Sequence, residues 1–173
     1  HGFVVRTLIP GDGAHVGNLK VRGPCIVKNY YRSGKDSVLD ENGFFDTGDI
    51  AAIDAYGYLR LTDRAKDLVK SGGEWISSID LENHVMGHPD VFEAAVIAVK
   101  HPKWDERPLL LVVLKEGRST KKQDILDFLK AKVASWWLPD DVVFVDALAH
   151  TATGKLHKSA LRQQYENYRL PGL

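Results

Sequence analysis

The chain has 173 residues, of which 44% are hydrophobic, so it can bury a core and disorder is excluded as the expected state. Its 23 Lys and Arg balance 23 Asp and Glu, so no net field draws it to nucleic acid or to an anionic membrane, and any polyanion must be met locally. Cys25 is the single cysteine, which excludes an internal disulfide; a small buried apolar role in a reducing compartment is expected for it.

No apolar run has the length of a membrane span, and His1-Gly2-Phe3 does not open a signal peptide, so a cytoplasmic location is expected. A first residue other than Met is expected where a chain begins inside a longer protein. From residue 3 to residue 61, short apolar runs (3–9, 19–27, 50–53 and 58–61) alternate with turns such as Pro10-Gly11-Asp12-Gly13 and Asp40-Glu41-Asn42-Gly43. This pattern predicts an antiparallel β region with no helix to cover it, the tail of a larger β-rich domain.

Residues 62–82 change the character of the chain. Asp63, Arg64, Lys66, Asp67 and Lys70 crowd charge into a short span, and Gly72 with Gly73 opens backbone conformations closed to other residues. Ser77 and Asp80 have the capping-box spacing that starts a helix over 79–86, which Gly87 and Pro89 end. A hinge beside a binding loop and a plain surface loop entering a helix both fit.

Strands are predicted over 91–99, 109–115 and 142–145. Thr120 and Gln123 form a second capping box, and Ile125, Leu129, Val133 and Trp137 give one helical stripe, stopped before Pro139. Leu161, Tyr165 and Tyr168 mark a closing helix. The fold class is α+β: a small C-terminal domain of short sheet and packed helices over 64–173, preceded over 1–63 by strands ending a larger N-terminal domain.

Several motifs fail on inspection. Gly11-x-Gly13 lacks the third glycine of a dinucleotide fingerprint, and Val38 stands where a calcium loop needs its first ligand. Thr151-Ala152-Thr153-Gly154-Lys155 ends like a phosphate loop, but Ala149 replaces the leading glycine and Leu156 the magnesium-binding hydroxyl. The histidines show no metal-ligand spacing, so no metal site is expected. Asp46 and Asp49 flank a turn; such a carboxylate either caps the turn or accepts from both ribose hydroxyls. Lys115, Arg118, Lys121, Lys122, Lys130 and Lys132 read as a solvated face, and Trp104, Trp136 and Trp137 as packing residues.

In order and separation, Gly17-Asn18-Leu19-Lys20-Val21-Arg22-Gly23-Pro24, Phe45-Asp46-Thr47-Gly48-Asp49, Thr62-Asp63-Arg64, Lys70-Ser71-Gly72-Gly73-Glu74-Trp75-Ile76-Ser77 and Thr151-Ala152-Thr153-Gly154-Lys155 resemble the C-terminal portion of adenylate-forming enzymes. Gly72-Gly73-Glu74-Trp75-Ile76-Ser77, with residues 101–108 and Trp136-Trp137-Leu138-Pro139, is most similar to the bacterial fatty-acyl-CoA synthetases. The resemblance implies that a fatty or other acyl carboxylate attacks the α-phosphate of ATP to give acyl-AMP and pyrophosphate, after which CoA displaces AMP. It implies nucleotide binding by Asp49 and Arg64, a hinge at Lys66, and an adenylation lysine at Lys155. It also implies a CoA-facing catalytic Lys70 with Ser71, Gly72 and Gly73. Magnesium is expected with ATP, held by residues absent from this chain, as are the phosphate loop and the acyl pocket. The missing N-terminal domain is then a partner, and the segment alone is expected to be inactive. Asn18 and Ala149 depart from the family's usual Glu and Pro. An aryl-CoA ligase of the same superfamily and a non-catalytic binding module remain the alternatives; an end at Leu173 with no carrier domain disfavours a peptide-synthetase adenylation domain.

Overall fold

The computed structural model describes residues 4–7, 16–32, 34 and 37–173. The Gly11-x-Gly13 pair, its turn and the first three residues lie outside these. The chain divides into two compact units, His1–Lys66 and Asp67–Leu173. The strand pattern had placed the division after Asp63. It falls three residues later because the last strand of the first unit runs through Arg64, and the Ala65 amide donates to the Gly48 carbonyl.

The first unit is an antiparallel sheet of β1 (Val4–Thr7), β2 (Gly17–Arg22), β3 (Phe45–Ile53) and β4 (Leu59–Arg64), in that order. Leu19, Phe44, Ile50, Ala51 and Ala52 are buried. The expectation for Cys25 fails: it sits in the turn after β2 and is exposed. Asp40 builds its own turn by accepting from the Asn42 and Phe44 amides, and its carboxylate pairs with the Lys20 ammonium. The Lys20 ammonium, with these amides, holds the Asp40 carboxyl below the usual carboxylate range.

The second unit is a mixed sheet ordered β6-β5-β8-β7, with β9 parallel to β8. Its strands are β5 (Val69–Ser71), β6 (Glu74–Ile76), β7 (Val91–His101), β8 (Asp105–Leu114) and β9 (Asp141–Phe144). Alternate residues of β7 and β8 enter two separate cores. Ala94, Val96, Leu110 and Val112 pack with α1 (Ser78–Met86) and α2 (Lys122–Lys130); Ala95, Ile97, Leu109 and Leu111 pack with Leu161 of α3 (Lys158–Gln164) and with Leu170. Both faces are covered, which is why these strands read as unbroken apolar runs.

Helix boundaries follow local chemistry. Ser77 Oγ accepts from the Asp80 amide at 3.1 Å and caps α1 as its spacing predicts. In α2 the Thr120–Gln123 box does not form. Asp124 instead reaches back to the Lys121 amide, so the helix starts one residue later. Val133 and Trp137 keep their place in the core, but the helix has ended at Lys130 and Trp137 belongs to a separate 3₁₀ turn, Ser135–Trp137. Likewise Tyr165 caps α3 and Tyr168 lies beyond it.

Candidate functional site

Three groups of candidate residues are built separately. In the first unit, Asp49 and Arg64 are register partners on β3 and β4, and the Arg64 Nε lies 3.3 Å from Asp49 Oδ1. The preceding turn is shaped by Asp46, which accepts from the Gly48 amide, and by Gly48 at φ +72°, a conformation that favours glycine. Asp46 therefore caps the turn, and Asp49 is left beside a guanidinium. Asp63, read as part of a charged loop, is buried within β4 and accepts from the Arg64 amide.

In the second unit, Gly72 and Gly73 form the two-residue turn of a β5–β6 hairpin, with φ of +60° and +90°. The sequence showed the glycines but not the hairpin, whose strands have three residues each. Lys70 is exposed on β5, and its amide donates to Glu106 at 2.9 Å. Gly72 is needed for a second reason. A Cβ there would lie 2.9 Å from Trp104 Cε3, so the indole rests against the bare backbone, and the Gly72 amide donates to the Trp104 carbonyl.

A cleft of about 540 Å³ opens beside this hairpin, lined by Ser71, Gly72, Glu74, Trp104, Arg107, Trp136 and Asp140. Trp104 and Trp136 were expected to pack, yet they are 42% and 43% exposed; only Trp137 joins the core. Asp105, which follows Trp104, is held at φ +68°, where few non-glycine residues sit. None of this cleft beyond Ser71 and Gly72 was read from sequence, because its lining residues come from distant stretches with no common period.

Lys155 lies on a closed turn between His150 and Leu156, which form an isolated bridge. The Thr151 amide donates to the Lys155 carbonyl at 2.8 Å, the Lys155 amide to Thr151 Oγ1, and Gly154 supplies φ +79°. Before the turn, His150 Nε2 meets Glu93 of β7 at 2.7 Å. After it, Lys158 reaches Glu82 at 2.8 Å and Ser78 Oγ at 2.7 Å, both on α1, with both ionic side chains nearly buried. Glu82 also accepts from the Val96 amide. One turn along α3, Arg162 pairs with Asp67, the residue after Lys66. The Lys155 amine itself is exposed and has no hydrogen-bond or ion-pair partner among the described residues. The arrangement is an exposed cation on a hydrogen-bonded turn.

The six residues of the basic face are exposed, as expected of a solvated face, and four of them also have partners there: Lys115 with the Pro89 carbonyl, Arg118 with Asp90, Lys122 with Asp141, and Lys130 with Asp127. Among the described residues no three His, Cys, Asp or Glu side chains converge as metal ligands. No helix among them is long and apolar enough to cross a membrane.

Residues 80–155 match the family model of the AMP-binding enzyme C-terminal domain. The chain carries the C-terminal domain of the adenylate-forming enzymes. Over 162 residues it is 51% identical to a long-chain-fatty-acid–CoA ligase of Thermus thermophilus, covering 92% of this chain and 30% of that one. It is 49% identical over 159 residues to a 3-methylmercaptopropionyl-CoA ligase of Ruegeria lacuscaerulensis, covering 92% and 29%. Among solved structures, ATP-bound MatB from Rhodopseudomonas palustris superposes with a TM-score of 0.85 at 32% identity, over 96% of this chain and 35% of that one. The chain thus spans less than a third of the length of the curated ligases it matches. In this adenylate-forming domain Lys155 closes the matched segment, and α1, the β7–β8 hairpin and the cleft lie within or just before it.

Proposed function

We propose that the chain is the C-terminal part of an ATP-dependent fatty-acyl-CoA ligase and supplies two cationic elements to its two half-reactions. The observation that carries this reading is the Lys155 turn: an exposed amine without a hydrogen-bond or ion-pair partner among the described residues, on a backbone hydrogen-bonded within the turn and flanked by the His150 and Lys158 contacts. In the first half-reaction a carboxylate oxygen attacks the α-phosphorus of ATP, the bond to the β-phosphate oxygen breaks, and pyrophosphate leaves. Lys155 would neutralise charge shared by the carboxylate and the α-phosphate as that bond forms. Asp49 would accept from the ribose hydroxyls, with Arg64 turned to the ribose or phosphate. In the second, the CoA thiol loses its proton, sulfur attacks the acyl carbon, and AMP leaves.

Lys70, Ser71, Gly72 and Gly73 would face that thiol, and the cleft beside them fits the nucleotide end of CoA, with two aromatic walls for a flat base. Lys66, exposed at the division between the units, would be the pivot that lets one active site serve both steps.

The test uses the full-length ligase that contains this segment. Lys155→Ala should slow single-turnover acyl-AMP formation by about a hundredfold or more and leave thioester formation from supplied acyl-AMP nearly intact. Lys70→Ala should do the reverse. Equal losses in both half-reactions for either variant would defeat the assignment.

A further inference from the structure

Arg107 lines a cleft assigned above to a phosphate-bearing coenzyme, so it invites reading as a phosphate contact. Its hydrogen bonds argue otherwise. An arginine has five N–H donors, and four hydrogen bonds and an ion pair engage all three nitrogens of this one within the protein. Nε donates to Asp140 Oδ1 at 2.7 Å, and Nη2 lies 2.7 Å from the same oxygen. Nη1 donates to Ser71 Oγ at 3.0 Å and to the Trp136 carbonyl at 2.8 Å, and Nη2 donates to the Leu138 carbonyl at 2.9 Å. The side chain is 12% exposed.

These acceptors come from two separate segments that line the cleft. Ser71 ends β5, immediately before the glycine against which Trp104 rests. Trp136, Leu138 and Asp140 belong to the 3₁₀ turn and the segment leading to β9. Arg107 itself comes from β8, between them. We infer that Arg107 is a positioning residue that holds the Trp104 wall and the Trp136 wall at a fixed separation, and that it makes no contact with a phosphate of the ligand. A phosphate could recruit this guanidinium only by taking donors from carbonyls and a carboxylate already paired with it, which would leave those acceptors unsatisfied. Lysine cannot substitute, since its ammonium is a point donor and cannot span acceptors on two walls.

The inference rests on the coenzyme reading of the cleft, and two measurements separate them. The first uses no ligand. In the 173-residue chain, Arg107→Lys and Asp140→Asn should each shift the indole N–H resonances of Trp104 and Trp136 while leaving that of Trp137 in place. Unmoved Trp104 and Trp136 resonances would overturn the positioning role. The second compares CoA with 3′-dephospho-CoA by calorimetry in the full-length ligase that contains this segment. Arg107→Lys should weaken both by the same factor, about tenfold, leaving the ratio of the two affinities as in the parent chain. A ratio that falls toward one only in the variant would mean that Arg107 meets the 3′-phosphate, and unchanged affinities would mean that the wall separation does not matter; either overturns the proposal. If the unaltered full-length ligase binds neither compound, the coenzyme reading and the ligand half of the proposal fall together, while the resonances still decide whether Arg107 sets the walls.

Discussion

Gly72 and Gly73 are neighbours in one turn, yet their substitution should have different consequences. Both have positive φ, so alanine costs about 1 kcal/mol or more of backbone strain at either site. At Gly73 nothing lies within 4 Å of the new Cβ; at Gly72 the Cβ meets the Trp104 ring at 2.9 Å and the indole must move. Gly73→Ala should therefore lower stability in urea denaturation without altering tryptophan emission, whereas Gly72→Ala should lower it further and shift the emission. Identical spectra for the two variants would mean that Trp104 does not depend on the bare backbone. At this scale the sequence was legible where one residue type answers one backbone need, as with these glycines or the Ser77 cap. It was not legible where neighbours part ways. Trp136 and Trp137 are adjacent, but a 3₁₀ turn points successive side chains about 120° apart, so one faces the cleft and the other the core.

Elements were legible wherever burial on both faces, or a stripe at helical spacing, left a long enough pattern. The β7–β8 hairpin and α1 have such patterns, while the three-residue strands β5 and β6 are too short to show a period. What holds elements together was less visible. Asp141, buried at the start of β9, accepts from Lys122 at the start of α2 and from the Tyr168 hydroxyl beyond α3. Burial pushes its carboxyl up, but Lys122, Tyr168 and the Val142 amide outweigh this and bring it below the ordinary value of 3.8. Burial and the Asp141 carboxylate push the Tyr168 hydroxyl up to about 12. The signs follow from proton uptake. Below 3.8 the unfolded chain binds a proton that folded Asp141 still refuses, so this contribution is full at neutral pH and is lost as acid reaches the depressed value. Above 10.0 the unfolded Tyr168 ionises first, so its contribution is lost as pH rises toward about 12. Asp141→Asn should thus destabilise the chain at pH 7, with the deficit narrowing in strong acid. Parallel pH–stability curves for parent and variant would refute the assignment.

For the whole chain, the sequence shifts from a β pattern to alternating strands and helices across a charged span, and the structure divides into two units within that span, after Lys66. Neither pattern says what the junction does. If the units reorient through backbone rotation at Lys66, Lys66→Pro in the full-length ligase fixes φ near −65° and should suppress one half-reaction at least about tenfold more than the other. Lys66→Ala controls for the lost charge and should stay close to the parent in both. Thiolation is the expected loss, because it requires departure from the arrangement that first engages ATP. Equal rates for the proline and alanine variants in both half-reactions would remove Lys66 as the pivot.

The free amine on a fixed turn also has an entropic consequence. His150, Lys158 and Arg162 have already surrendered their rotamers to hold the base of the Lys155 turn, so little backbone freedom is left there to lose. The Lys155 side chain has surrendered none. If Lys155 holds an anion as proposed, ordering it costs on the order of 2 kcal/mol at that moment and not before. Such a cation would grip weakly at rest and hold hardest where charge is most concentrated.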